Sequence, residues 1–201
     1  MAEQGAVRFL PGAAGERALV ARLCAGEEPA YRELYDAHAP RLRRLVGRMV
    51  GEPALADELV QETFIAAFRN LRGYRFEAAL STWLTRIAVH HALNAQRSRA
   101  RRLAHARAEA FEASSHEPDP ARQDLARRVM ALVDRLDPPK RLAMLLVAEG
   151  HTAAEIAAIT DEPRGTILSR LSRARAEVLE QAIAAGLTEA AALAGSTGEG
   201  A

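Results

Sequence analysis

The sequence has very little of what builds disulfide-bonded, zinc-binding or membrane-spanning proteins. Cys24 is the single cysteine among 201 residues, so a disulfide framework and a zinc site of several thiolates are both excluded. We expect Cys24 to be a small buried apolar residue. No run of about 18 apolar residues is present, and the first residues lack the basic start and apolar run of a signal peptide. The pattern therefore predicts a cytoplasmic protein.

Aromatic residues make up only 4% of the chain, whereas hydrophobic residues as a whole make up 49%. Alanine, leucine and arginine dominate, and these residues favour helices, while strands prefer β-branched and aromatic side chains. The charges nearly balance, with 27 basic and 26 acidic residues. A uniformly basic surface is therefore excluded, and the distribution of charge along the chain is the informative quantity.

The apolar periodicity of helices is confined to two blocks, residues 16–104 and 123–185. Residues 105–122, between the blocks, contain prolines and serines without a sustained apolar period, which is typical of a linker. Residues 1–15 are expected to be flexible, and residues 186–201, rich in alanine and glycine, to be partly disordered. The sequence therefore predicts an all-α fold of two small helical domains joined by a flexible linker.

Acidic side chains without a basic neighbour mark the segment GEPALADELVQET. Pro53 suits the first position of a helix, and the apolar spacing after it predicts one amphipathic helix. Acids near a helix start interact favourably with the helix dipole, and they could equally form a docking surface for a basic protein partner. The acids concerned are Glu52, Asp57, Glu58 and Glu62.

The segment that begins at Arg86 and runs to residue 108 has the opposite charge, with six arginines, three histidines and no acid. It follows Tyr74, Phe76 and Trp83. Basic residues beside aromatic ones suit a single nucleic-acid strand, whose bases stack and whose phosphates pair with cations. Packing of Trp83 in the core is an equally good interpretation of that residue.

Two helix starts carry capping signals. Ser81 or Thr82 is expected to cap the helix that contains Trp83, and Thr152 with Glu155 has the pattern of a capping box. A tight turn follows the short helix after Thr152, and Pro163 opens the last helix. A short helix, a tight turn and a second helix together predict a helix-turn-helix unit.

In such a unit the second helix enters the DNA major groove by its N-terminal residues. Arginines neutralise phosphates or fork onto guanine, and hydroxyl side chains contact phosphates or base edges. A solvated arginine-rich face is the alternative, and the complete helix-turn-helix pattern favours DNA binding. The internal face is expected to contain Ile156, Ile159, Ile167 and Leu171. The residues that face outward or to the sides are Arg164, Thr166, Ser169, Arg170 and Arg173, of which Arg170 could also face back toward the protein.

Three segments resemble bacterial RNA polymerase sigma factors of the extracytoplasmic-function (ECF) type. DELVQETFIAAFRNL followed by STWLTRIAVHHALN resembles the sigma-two domain, and LDPPKRLAMLLVAEGHTAAEIAAITDEPRGTILSRLSRARAEVL resembles the sigma-four domain. Together they cover most of residues 22–183. The resemblance implies a transcription initiation factor that binds core RNA polymerase, directs promoter-specific DNA binding and opening, and is held by an anti-sigma factor.

The resemblance also implies roles for particular residues. The residues expected to bind core polymerase are Asp57, Glu58, Gln61 and Glu62. Those expected to recognise and melt the minus-ten element are Tyr74, Phe76, Trp83, Arg86, His90, Asn94 and Arg97. Those expected to recognise the minus-thirty-five element are Arg164, Thr166, Ser169, Arg170 and Arg173.

Three positions depart from the family's pattern. The family usually has Leu-Pro where this chain has Leu136 and Asp137. A glycine common in the helix-turn-helix turn is replaced near Thr160 and Asp161. Leu168 occupies a position where a basic residue is frequent, which removes one polar contact and leaves the promoter sequence open.

A stand-alone helix-turn-helix regulator is the alternative function. It would need neither the acidic helix nor the aromatic and basic block, and both are present. Adjacent helical residues such as His90 and His91 point about 100° apart, so they do not predict a shared metal site. No phosphate-cradling glycine loop and no nucleophile with a credible base is recognisable, and the sequence therefore predicts no catalytic activity, metal or cofactor.

Overall fold

The computed structural model describes residues 13–105, 122–185 and Leu187. These residues form eight α-helices and one 3₁₀ turn, and they contain no strand, which confirms the all-α prediction. None of the described helices is long and apolar enough to cross a membrane. The helices are α1 (Ala13–Cys24), α2 (Glu28–Val50), α3 (Pro53–Asn70), α4 (Leu80–His105), α5 (Arg122–Asp134), α6 (Pro138–Ala148), α7 (Ala153–Thr160) and α8 (Arg164–Ala184), with the 3₁₀ turn at Leu71–Gly73.

The helices form two compact units, one containing α1 to α4 and the other containing α5, α6, α8 and most of α7. The prediction of two small helical domains is thereby confirmed. α1 begins at Ala13, inside the segment predicted to be flexible, while α4 ends at His105 and α5 begins at Arg122. The rest of the predicted linker and the tail beyond Leu187 lie outside the described residues.

In the first unit α2, α3 and α4 pack pairwise, and α1 packs on α2 and on the 3₁₀ turn. Leu34, Val46, Val60 and Leu84 are completely buried between these helices. Helical spacing brings such residues to one face of each helix, and burial of each side chain stabilises the fold by roughly 1.5–3 kcal/mol. The unit is therefore a helical bundle with one continuous apolar core.

The junction of α2 and α3 combines a left-handed glycine with the predicted proline start. Gly51 has a φ of 73°, a left-handed conformation that glycine adopts without steric cost, and its N–H donates to the Gly47 carbonyl at 2.8 Å. Pro53 is then the first residue of α3. The left-handed glycine satisfies a carbonyl at the end of α2 and turns the chain directly into the next helix.

Two local predictions in the first unit are wrong. Cys24 is exposed, because it is the last residue of α1 and lies outside the apolar face that buries Leu19 and Leu23. Neither Ser81 nor Thr82 caps α4, which begins at Leu80. Thr82 is instead buried in the first helical turn. A hydroxyl residue in the sequence indicates roughly where a helix begins, but the first helical residue can differ from that position by one or two residues.

In the second unit α5 and α6 pack on α8. Asp137 replaces the proline usual in the family and caps α6, since its carboxylate accepts a hydrogen bond from the Lys140 N–H at 3.0 Å. The Lys140 ammonium then lies 2.8 Å from both Asp137 and Glu177, and so connects the start of α6 to α8. The departure at Asp137 therefore provides a helix cap and an interhelical ion pair.

His38 is a titratable group held in the first unit. Its Nε2 is enclosed and has no hydrogen-bond partner among the described residues. Burial, together with the nearby Arg41 charge, lowers the pKa of His38 from 6.5 to about 4, although Glu16 opposes the shift. The imidazole is therefore neutral in the folded protein, because the folded state disfavours the charged form.

Acidification should destabilise the first unit through His38. The stability gained by keeping His38 neutral is fully present above pH 6.5 and is lost as the pH falls toward 4, an effect of about 3 kcal/mol. His38→Leu should remove this part of the pH dependence. Unfolding followed by the fluorescence of Trp83, the only tryptophan of the chain, measures it. His90→Leu, which changes an exposed histidine, is the control. If both variants lose the same free energy of unfolding between pH 6.5 and 4, His38 is not the cause of this pH dependence.

Candidate nucleic-acid interface

The second unit contains the predicted helix-turn-helix. Thr152 caps α7, with its hydroxyl accepting from the Glu155 N–H at 3.3 Å while the Glu155 carboxylate accepts from the Thr152 N–H at 2.8 Å. The capping box is therefore confirmed. Asp161 ends α7 with a φ of 56°, in the left-handed conformation that aspartate tolerates better than most residues. Asp161 thus performs the conformational role of the missing glycine.

The two faces of α8 separate as predicted. Ile156, Ile159 and Ile167 are completely buried and Leu171 nearly so, as expected of an internal face. The first turns of α8 expose a mixed polar surface. The exposed residues there include Arg164, Thr166, Leu168, Ser169 and Arg173. Leu168 therefore places an apolar side chain at the surface beside hydroxyl and guanidinium groups.

Arg170 differs from the other predicted DNA-contacting residues because it is bound to the turn. Both of its terminal nitrogens donate to the Glu162 carboxylate, one of them at 2.7 Å. The hydrogen bonds to Glu162 raise the pKa of Arg170 above its ordinary value, although desolvation opposes them. This two-point contact fixes the turn against α8 and leaves little of Arg170 exposed.

Ser169 and Arg173 are linked along the same side of α8. The Ser169 hydroxyl donates to the Thr166 carbonyl at 3.0 Å, and Arg173 donates to the Ser169 carbonyl at 3.2 Å. Both side chains remain exposed, and these contacts belong to a single helix. Contacts within one exposed helix are weak, so both residues can exchange them for contacts with a ligand.

An aromatic cluster lies between the 3₁₀ turn and α4 in the first unit. The Tyr74 ring centroid is 4.6 Å from that of Phe76 and 5.1 Å from that of Trp83. Tyr74 is buried, Trp83 is half-buried and Phe76 is 39% exposed. Tyr74 therefore contacts both of the other rings, and of the three only Phe76 and Trp83 offer ring surface to a ligand.

The basic segment of α4 forms one exposed stripe. Arg86, His90, Asn94 and Arg97 are all exposed and follow Trp83 at intervals of three and four residues, which brings them to one side of the helix. The stripe from Arg86 to Arg97 is about 16 Å long. It runs along α4 from Trp83, so the structure brings the five predicted minus-ten residues of α4 onto one surface, while Tyr74 and Phe76 lie in the preceding loop.

The acidic face of α3 exposes all four predicted residues, and two of them have partners. Asp57 accepts a hydrogen bond from Arg43 of α2, and Glu62 lies 3.2 Å from Nδ1 of His91 on α4. Glu58 and Gln61 complete the face. Ile65, which is not among the residues predicted from the sequence, is 49% exposed on the same side of α3. The sequence feature that could have identified Ile65 is an aliphatic side chain at a position outside the buried face of the helix.

No group of histidine, cysteine, aspartate and glutamate side chains in the described residues could hold a metal ion. His90 lies on the exposed stripe of α4, whereas His91 faces Glu62 of α3. The two adjacent imidazoles therefore serve different surfaces, as expected from their angular separation on a helix.

Each of the two units matches a known protein family. The family described as Sigma-70 region 2 matches residues 34–102, and the family described as Sigma-70, region 4 matches residues 126–178. The ECF RNA polymerase sigma-E factor of Escherichia coli (strain K12) is 34% identical over 173 residues, which cover 80% of this chain and 90% of that protein. The factor of the same name from Haemophilus influenzae is 33% identical over 181 residues, covering 84% and 95%.

Helical units of these two families in this order define a sigma factor. The chain belongs to the ECF sigma factors of RNA polymerase, and it is a transcription initiation factor. The resemblance seen in the sequence is thereby confirmed.

Two solved structures share the fold. The structure of CnrH in complex with the cytosolic domain of CnrY has a TM-score of 0.63 and 25% identity, and covers 84% of this chain and 97% of that chain. The sigma factor RpoE in complex with the anti-sigma factor NepR from Bartonella quintana also has a TM-score of 0.63 and 25% identity, covering 75% and 94%. Both similar structures contain a bound regulatory or partner polypeptide.

Arg170 and Arg164 should behave differently when they are changed to alanine. Arg170→Ala removes the contact with Glu162 and should lower the free energy of unfolding of the second unit by about 1 kcal/mol, because the pair is only partly exposed. Arg164→Ala removes an exposed side chain and should change it by less than about 0.5 kcal/mol. Far-UV circular dichroism during urea unfolding is the measurement, since Trp83 lies in the other unit. Equal stability of both variants would show that the contact with Glu162 is unimportant.

Proposed function

We propose that this chain docks on core RNA polymerase through α3, opens the minus-ten element with α4, and reads the minus-thirty-five element with α8. The observation that carries the proposal is the stripe on α4, where Trp83, Arg86, His90, Asn94 and Arg97 share one face. A stand-alone helix-turn-helix regulator has no use for that stripe or for the acidic face of α3. The initiation factor is therefore preferred over the regulator.

The stripe suits a single DNA strand. Aromatic rings stack on unpaired bases of any sequence, and cationic side chains attract the phosphates between them. Phe76 and Trp83 supply the rings, Arg86 and Arg97 supply positive charge, and Asn94 supplies amide donors and acceptors for base edges. A duplex hides its base faces, so such a surface binds the separated strand and favours the open promoter.

The start of α8 suits duplex DNA. Arg164, Thr166 and Ser169 occupy the N-terminal half, which enters the major groove in this type of unit. Arg173 lies one turn beyond Ser169 and is placed for a phosphate. Arg170 was predicted to contact DNA. It instead supports the DNA-binding helix α8 by fixing the turn before it through Glu162.

The acidic face of α3 suits a basic surface on core polymerase. Glu58 and Gln61 lie at its centre, with Asp57 and Glu62 oriented by Arg43 and His91. Ile65 adds the apolar contact that protein interfaces use at their buried centres. Charge then steers the encounter, and the aliphatic contact contributes affinity.

Regulation by an anti-sigma factor is part of the proposal. One structurally similar sigma factor was solved with an anti-sigma factor bound, and another similar protein with the cytosolic domain of a second polypeptide. A protein of the same kind would cover the polymerase- or DNA-binding surfaces of this chain. We place the protein in the cytoplasm, with core polymerase and promoter DNA, and assign it no catalytic activity.

Run-off transcription on a promoter library, using purified core polymerase with and without the protein, tests the function. Transcripts that require the protein, and that start at a shared promoter sequence, are expected. In that assay Arg164→Ala should relax preference at one base pair at a cost of about 1–3 kcal/mol. Arg173→Ala should weaken all selected promoters alike and lower the salt slope by about one. Absence of protein-dependent transcripts would reject the initiation function.

Charge reversal on α3 should weaken polymerase binding and spare the fold. Glu58→Lys is preferred over a change at Asp57, because Asp57 also binds Arg43. We expect the affinity for core polymerase to fall at least about fivefold, roughly 1 kcal/mol, since like charges then meet at the interface. Fluorescence-detected titration with core polymerase measures it, and Glu28→Lys, whose side chain is 88% exposed on α2, is the control. Equal affinities of both variants would contradict the assignment.

A further inference from the structure

Phe76 has an unusual backbone conformation for an aromatic residue. Its φ is 58°, in the left-handed region that bulky side chains rarely adopt, and its ring is 39% exposed. Such a conformation persists only where surrounding contacts hold it. An exposed ring held in this way has a fixed direction, which a freely rotating surface side chain does not have.

The Phe76 ring contacts Arg17 of α1 directly, and it is connected to Glu16 of the same helix through Tyr74. The Arg17 guanidinium lies over the Phe76 ring, 5.6 Å from its centroid. The preceding residue, Glu16, accepts a hydrogen bond from the Tyr74 hydroxyl, which also lies 2.7 Å from the Ala78 carbonyl. The hydroxyl has one hydrogen, so the two acceptors share it and the Tyr74 ring is restrained from two directions.

Two consecutive residues of α1 therefore restrain the two neighbouring aromatic residues of the loop. Arg17 contacts the exposed ring, and Glu16 fixes the buried ring that lies 4.6 Å from it. Neither residue lies within the region that matches Sigma-70 region 2, which begins at residue 34. Glu16 and Arg17 belong to α1, which lies outside the part of the chain that matches the family.

We propose that Glu16 and Arg17 are positioning residues that hold the Phe76 ring ready to stack on an unpaired base of the opened promoter. This inference rests on the proposed function of the α4 surface. Arg17 acts through the ring of Phe76, and Glu16 acts through Tyr74. A ring that is already oriented loses less conformational freedom when a base stacks on it, so the separated strand is bound more tightly.

The free protein provides the first test. Carbon-13 labelling of phenylalanine gives one set of ring signals for each of the five phenylalanines, and the Phe76 set is the one missing from Phe76→Leu. Arg17→Ala should shift the Phe76 ring signals toward those of an unstructured peptide, and Arg17→Lys, which keeps the cation, should restore part of the shift. Arg32→Ala, which removes an exposed cation on α2, is the matched control and should leave Phe76 unchanged. An unchanged Phe76 spectrum in Arg17→Ala would overturn the positioning role whatever the protein does in transcription.

The second test is a double-mutant cycle on a duplex promoter selected by the wild-type protein. Arg17→Ala should lower the yield of permanganate-reactive open complex about three- to tenfold, the range expected of a cation–π contact. In the Phe76→Leu background, Arg17→Ala should cause no further loss, because Arg17 acts through the ring. Because the ring acts on the separated strand, a similar loss of binding is expected on the same promoter with its minus-ten segment left unpaired, and an unchanged affinity there would contradict the positioning role.

The outcomes separate the two proposals. An undiminished effect of Arg17→Ala in the Phe76→Leu background would mean that Arg17 contacts DNA phosphate directly, and the positioning role would be wrong. Failure of the wild-type protein to support any transcription would reject the proposed function, while the Phe76 ring signals would still decide whether α1 holds the loop.

Discussion

The binding surface of the first unit depends on the close packing of α4 against α2 and α3. Leu84, Ala88, Val89 and Ala92 are all completely buried along one side of α4. The two alanines bring the backbones close together, and the helix has little freedom to rotate about its axis. The opposite side is therefore held toward solvent. An aromatic and basic surface on a fixed helix is oriented before a strand arrives, which favours binding.

Intramolecular ion pairs decide which charges orient neighbouring helices and which remain for partners. Asp57 is joined to Arg43, Glu162 to Arg170, and Lys140 to Glu177. Each pair connects two elements of its unit, so these charges orient helices as well as adding to a surface. Glu58 on α3 and Arg164 on α8 are exposed side chains that can be desolvated by a partner at low cost to the fold.

Much of the fold was determined by the sequence alone, because its signals are local. Proline at the first helical position, the left-handed glycine at residue 51, and the reciprocal bonds of Thr152 and Glu155 involve residues close together in the chain. The apolar periodicity of α8 separated the buried Ile167 from the exposed Arg164. The positions of most helices, and the buried and exposed faces of α8, therefore followed from the residues.

Only the tertiary structure decided the roles of residues whose partners are distant in sequence. Nothing local distinguishes Tyr74 from Phe76, yet the hydroxyl of Tyr74 reaches Glu16 and its ring is buried, while Phe76 remains exposed. Likewise the sequence cannot show that Arg170 binds Glu162, because every arginine of α8 carries the same charge. Periodicity describes the direction of a side chain around its own helix. Its actual contacts depend on how the other helices and loops pack around it, which is a property of the assembled fold.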